Sequence, residues 1–156
     1  MTILFDGKLM ADYHQIFLAD AANDPSTPEE VTDRHIRDRL LLAPGVLVLM
    51  TARNMVVPLR VELHGAEPGR FIEAADHVVV GGLASSGRIG IAGLTDYWPD
   101  AARAAVPPGD LCAMVVSRGL GSLSEDGLDG ADRYEVHLWP GRSEGVRVLK
   151  QWQGPA

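Results

Sequence analysis

Cysteine is almost absent from this sequence: Cys112 stands alone, inside the apolar run "LCAMVV". No intrachain disulfide can form, so the core must hold the fold, and a reducing cytoplasm is the expected compartment. Long hydrophobic runs are missing too. Runs such as "GVLVLM" at 45–50 are far too short to cross a bilayer, and "MTILF" at the start lacks the basic and apolar segments of a signal peptide. Positive charge is scarce: 14 Lys and Arg against 21 Asp and Glu leave a formal net charge of −7. Such a field repels nucleic acid and anionic membranes and steers the chain toward basic partners. With no basic stripe, direct binding of DNA or RNA is not expected.

The signatures of several common chemistries are missing as well. There is no HxH or HExxH pair, and no cupin-type metal motif. "GLASSGRIG" sets serines between glycines without the GxSxG spacing of a nucleophile elbow, and it does not follow a phosphate-loop pattern. Cys112 has no polar neighbour to lower its pKa and reads as core packing. Glu29 and Glu30 are explained by the electrostatics of a helix start. The case for an enzyme is weak, and no cofactor is implied.

Period-two alternation is abundant. "VPLRVELH" (57–64) places Val57, Leu59, Val61 and Leu63 on one face and Arg60, Glu62 and His64 on the other. "RYEVHLW" (133–139) does the same with Tyr134, Val136 and Leu138. This pattern marks strands with one wet face. "DHVVVGGL", "RIGIAGL" and "DLCAMVVS" are apolar on both faces, as strands covered on both sides would be. "APGV" (43–46) has the Pro-Gly centre of a type II turn, "ARN" (52–54) reads as a hairpin tip, and "ASSGR" and "VPPGD" mark further turns. "STPEEVTDRHIRDR" offers Thr27 as N-cap, Pro28 at N1 and Glu30 at N3 of a short helix. The expected fold is all-β: an antiparallel β-sandwich of about ten short strands, with one short helix near residues 28–39. Its length suits a single domain over 1–150, with 151–156 as a frayed C-terminal tail.

Two sets of residues carry candidate chemistry. In "ADYHQIFLAD" (11–20), read as a strand entering the core from a polar rim, Asp12 and His14 share one face beside Tyr13. A mononuclear metal site on a β-scaffold takes two ligands two apart on a strand and a third from a neighbour. Asp12 and His14 have that spacing, and His64, His77 or His137 could supply the third. His64 and His137 fall among charged residues and read as solvated, which leaves His77. The second set is "SEDGLDGAD" (124–132), with Glu125, Asp126, Asp129 and Asp132 around two glycines. It lacks the EF-hand spacing and reads as an exposed acidic loop, a surface suited to a basic partner.

Four short motifs, "YHQIF" (13–17), "TDRHI" (32–36), "APGV" (43–46) and "ARN" (52–54), resemble in order and spacing the competence protein J family, best over residues 12–63. Members are small soluble bacterial proteins that inhibit a partner DNA-entry nuclease. Val31 departs from the tryptophan found in the family before the Thr-Asp pair, and the C-terminal segment is longer than the family pattern. No inhibitory residue carries across. The resemblance implies a stand-alone protein-binding module, such as an inhibitor of a nuclease; the acidic loop, read from its own residues, suggests a basic partner with Glu125, Asp126, Asp129 and Asp132 as contacts. The alternative is a small-ligand or metal-binding protein using Asp12, Tyr13, His14 and His77. A homodimer formed by edge-strand pairing is a third arrangement.

Overall fold

The computed structural model describes residues 1–23, 30–69 and 73–154. Eleven strands run through them: β1 (Thr2–Met10), β2 (Gln15–Asp20), β3 (Leu40–Ala43), β4 (Val46–Met50), β5 (Val56–Leu63), β6 (His77–Ser85), β7 (Arg88–Gly93), β8 (Ala102–Ala105), β9 (Gly109–Arg118), β10 (Arg133–Pro140) and β11 (Arg147–Lys150). Six form one sheet in the order β1-β5-β10-β9-β6-β11, and five form the other in the order β3-β4-β2-β7-β8. All described pairings are antiparallel except β10 on β5, which is parallel. This is the all-β sandwich that the alternation predicts.

The alternating residues fill the space between the sheets. Val57, Leu59 and Val61 of β5 and Tyr134, Val136 and Leu138 of β10 meet Ile16 and Leu18 of β2 and Leu47 and Leu49 of β4 in one buried cluster. Each such aliphatic side chain, fully buried, contributes about 1.5–3 kcal/mol. The strands apolar on both faces behave as expected. Val78 and Val80 of β6 and Met114 and Val116 of β9 form a second buried layer on the outer side of the six-stranded sheet. Phe17, Ala19 and Leu41 build a third on the outer side of the five-stranded sheet, with Val31 and Trp98 packed against it.

The turns serve two different purposes. "APGV" does close a hairpin, β3–β4, with Gly45 at φ 69°. "ARN", expected as a hairpin tip, does not: it carries the chain from one sheet to the other, as do the expected turns at "ASSGR" and "VPPGD". They are corners, built from the same residues as hairpin tips. The one α-helix described, α1 (Asp33–Asp38), lies inside the predicted span but starts after Thr32. Thr32 accepts from the His35 N–H, and His35 reaches back to the Thr32 N–H. The proposed cap at Thr27 and Pro28 lies outside the described residues. Beyond β11, in the segment expected to fray, Gln151 and Trp152 are partly buried, while Gln153 and Gly154 are exposed. Trp152 lies against the main core, and Gln151 donates to the Arg37 carbonyl at 2.9 Å.

Candidate functional site

Residues 11–14 form a corner, so the strand expected from Ala11 begins only at Gln15. Asp12–His14 make a 3-10 turn in which Tyr13 (φ 56°) and His14 (φ 62°) both adopt left-handed backbone. Two consecutive non-glycine residues in that region are rare, and each costs of order 1–3 kcal/mol unless its surroundings enforce it. They do so here. Ala11 donates to the Met55 carbonyl at 3.0 Å, and Tyr13 N–H to Asn54 Oδ1 at 2.9 Å. Thr51 N–H donates to the His14 carbonyl at 2.9 Å, and His14 Nδ1 to the Thr51 carbonyl at 3.1 Å. Asp12 accepts from the Thr95 hydroxyl. The clamp leaves the Tyr13 side chain 69% exposed.

Beside Tyr13 is a concavity of about 260 Å³, lined by His14, Gln15, Val31, Ile36, Arg39 and Met50. Gln15 Oε1 is buried there with no hydrogen-bond partner among the described residues. Arg39, at the C-cap of α1 with φ 59°, is almost fully buried, and burial lowers its pKa from the ordinary value. Three of the four motifs that carry the family resemblance meet at or beside this surface, through Tyr13 to Gln15, Ile36 and the 51–54 corner, while "APGV" lies at the other end of β2, where Gly45 faces Asp20 and Asn23.

His77 does not join Asp12 and His14. It is fully buried; its Nε2 donates to the Asp38 carbonyl at 2.8 Å and its Nδ1 accepts from Trp152 N–H at 3.0 Å. Both nitrogens serve the backbone, and burial lowers its pKa. Among the described residues Asp12, His14 and His77 do not form a group able to share an ion.

The acidic segment lies in the connection between β9 and β10, pinned at its base by Gly119. There φ is +70°, and a Cβ would sit 2.4 Å from the Ala131 carbonyl oxygen. Ser124 Oγ donates to Asp126 Oδ1 at 2.7 Å and accepts from Asp129 N–H at 3.0 Å. The Ser124 hydroxyl and Leu128 N–H hold the Asp126 carboxyl below its usual range. Glu125, Asp126 and Asp129 stay exposed around a shallow depression. Asp132 does not belong to this surface. It is 1% exposed, bound by Arg53 Nε at 2.5 Å and by the Tyr134 hydroxyl at 2.8 Å, and the same hydroxyl accepts from Ala52 N–H at 2.7 Å. Its charge offsets Arg53 inside the fold, so it is a structural carboxylate. Arg53 also donates to the Leu128 carbonyl at 3.3 Å. The Tyr13 corner, the 51–54 corner and the acidic loop therefore form one continuous end of the sandwich.

A further cluster escaped the sequence reading. His64 and His137, expected to be solvated, face each other on the outer side of the six-stranded sheet, with His64 Nε2 3.0 Å from His137 Nδ1. His137 is 1% exposed and sits in register with Glu62 across β10 and β5. Glu62 Oε1 lies 3.3 Å from His64 Nε2 and 3.5 Å from His137 Nδ1. Burial, with the neighbouring His137 charge, lowers the His64 pKa. Glu135 accepts from His137 Nε2 at 3.1 Å and from Arg118 Nε at 2.6 Å, which hold its carboxyl at about 2. The sequence carried a sign of this: Glu62-Leu63-His64 and Glu135-Val136-His137 repeat one Glu-x-His spacing on two strands. Long charged neighbours that point into a wet face in isolation screen each other once the two strands pair.

No protein-family model and no curated protein sequence matches the chain. Two solved structures resemble it in fold. One is ComJ from Bacillus subtilis, described as an inhibitor of the DNA degrading activity of NucA; it aligns with a TM-score of 0.69 at 16% identity, over 88% of this chain and 96% of that one. The other is the product of crocagin biosynthetic gene J, with a TM-score of 0.57 at 20% identity, over 88% of this chain and 96% of its own. The likeness to competence protein J suggested by four short motifs is thus present in the fold. No helix among the described residues is long and apolar enough to cross a membrane.

Proposed function

We propose that this protein binds another protein through the end of the sandwich formed by the Tyr13 corner and the acidic loop, and that the partner is a basic nuclease which it inhibits. The observation that carries the reading is the convergence at Tyr13. An exposed aromatic ring stands on a backbone held in a costly conformation, beside a concavity where Gln15 Oε1 has no hydrogen-bond partner among the described residues. Strain of this kind persists where surrounding structure enforces it, and it clusters at binding and catalytic sites. A rigid, exposed tyrosine next to a pocket is the usual anchor of a protein interface. Glu125, Asp126 and Asp129 would form a polar rim around that anchor, and the net charge of −7 would speed encounter with a cationic groove. The fold it shares with ComJ, itself described as inhibiting a nuclease, supports the same direction.

The test is affinity capture from a lysate of the source organism at low salt, with the eluate assayed for DNA-degrading activity and for its suppression by added protein. A single basic nuclease released by salt, and inhibited stoichiometrically, is the expected result. Tyr13→Ala should weaken binding roughly 30-fold, the effect of losing an anchor worth about 2 kcal/mol. Glu125→Gln with Asp129→Asn should slow association about tenfold at low salt and flatten its salt dependence. Asp126 stays unaltered because it holds the loop turn. Inhibition undiminished in both variants would place the interface elsewhere; no captured nuclease would remove the inhibitor reading.

A further inference from the structure

The Glu62–His64–His137 cluster lies on the outer side of the six-stranded sheet and plays no part in the surface described above. We propose that it is a binding site for one divalent transition-metal ion of the zinc class, held by Glu62 Oε1, His64 Nε2 and His137 Nδ1.

A four-coordinate zinc ion with ligand distances of about 2.0–2.1 Å has its ligand atoms about 3.3–3.4 Å apart, the edge of the tetrahedron. The three donor atoms here are separated by 3.0, 3.3 and 3.5 Å. They outline one face of such a tetrahedron already, so an ion needs shifts of only a few tenths of an ångström. All three atoms lie within 4.8 Å of one another, and this is the one group of that kind among the described residues. The backbone explains the placement. Glu62 lies near the end of β5 and His64 one residue beyond it, where its N–H donates to the Leu138 carbonyl at 2.8 Å, while register sets His137 of β10 directly beside Glu62.

The surroundings are those of a metal centre rather than of a chance contact. The second nitrogen of His137 donates to Glu135, the carboxylate–histidine pairing that orients a ligand ring and leaves the other nitrogen as a lone pair. Glu135 is fixed in turn by Arg118. On Glu62, Arg60 Nε takes Oε2 at 2.6 Å, which turns Oε1 toward the histidines. The Glu62 and His64 side chains keep 12% and 16% of their exposure, enough for an ion to enter. Without an ion the two ring nitrogens share a single proton between them. An ion takes its place, with neutral His64 moving its proton to Nδ1 and no net proton released. Two histidines and one carboxylate are the donor set zinc prefers when a fourth position is left to water or another ligand.

The experiment uses the full chain without affinity tag, stripped with chelator, then dialysed against Zn²⁺ and analysed for bound metal and thermal stability. One equivalent of zinc and a raised melting temperature are expected, and Co²⁺ in its place should give the intense visible absorption of a tetrahedral site. His64→Gln and Glu62→Gln should abolish binding while circular dichroism shows the sheets intact. Glu135→Gln, which touches no ion, should lower affinity about 10- to 100-fold. Overturning results are no retained zinc in the folded parent, or equal binding by the parent and both ligand variants. His14→Gln serves as the control and should bind like the parent.

Discussion

Asp132 carries its charge beneath the surface, between Arg53 and the Tyr134 hydroxyl. Removing that charge takes the carboxylate partner from the largely buried Arg53 side chain and one favourable charge from Arg39. Asp132→Asn should therefore cost about 3–5 kcal/mol, the usual penalty for breaking a buried pair. Urea unfolding would measure it, and a loss near zero would mean that the carboxylate is not what balances the two arginines. The clue in the sequence is its spacing: Asp132 stands just before β10, two residues ahead of the inward-facing Tyr134 whose hydroxyl it accepts from. Proximity to the acidic loop hid it. His77 yields a prediction about pH. Burial lowers its pKa in the folded chain, against opposition from its bond to the Asp38 carbonyl. The unfolded chain then binds the extra proton first, near the ordinary histidine value of about 6.5. Stability from His77 is full above that pH and declines as pH falls below it toward the lowered folded pKa. Melting temperatures between pH 8 and pH 5 should fall more steeply for the parent than for His77→Gln. Parallel profiles would show that another group drives acid unfolding.

Among elements, the strands were more legible than the connections. Alternation of Val57, Leu59, Val61 and of Tyr134, Val136, Leu138 marks two strands and their inward faces correctly, because a buried face imposes period two on the chain. A turn motif records only that the chain reverses. Whether the strands on either side pair, or lie in opposite sheets, depends on contacts far away in sequence, and three of the turns proved to be corners. The Tyr13 corner was invisible for a related reason: nothing about Tyr or His signals left-handed backbone, which is enforced here by Thr51, Asn54 and Met55. The long β9–β10 connection offers a test at this scale. Gly119 and Gly127 both have positive φ, but only Gly119 faces backbone, the Ala131 carbonyl, where a Cβ would fall. Gly127→Ala should cost about 1–2 kcal/mol, the strain of left-handed backbone alone. Gly119→Ala should cost clearly more and speed proteolysis within 120–131. Equal losses for the two would show that the Ala131 contact yields easily.

At the scale of the molecule, net charge and class of fold could be read early because both are sums over many residues. The histidine cluster could not, because it exists only where β10 lies beside β5. That pairing also governs how the chain is made. β10 is an interior strand of its sheet, inserted between β5 and β9, yet it is among the last strands to leave the ribosome. At about 5–20 residues per second, roughly four to fifteen seconds pass between the end of β5 and the end of β10. Throughout that interval the nascent chain carries β5 with one bare edge and an uncovered row of Val57, Leu59 and Val61, the kind of edge that recruits strands from other chains. A cell making this protein quickly must shield that edge until residue 140 has emerged, and synthesis without such cover should deliver aggregate in place of the sandwich.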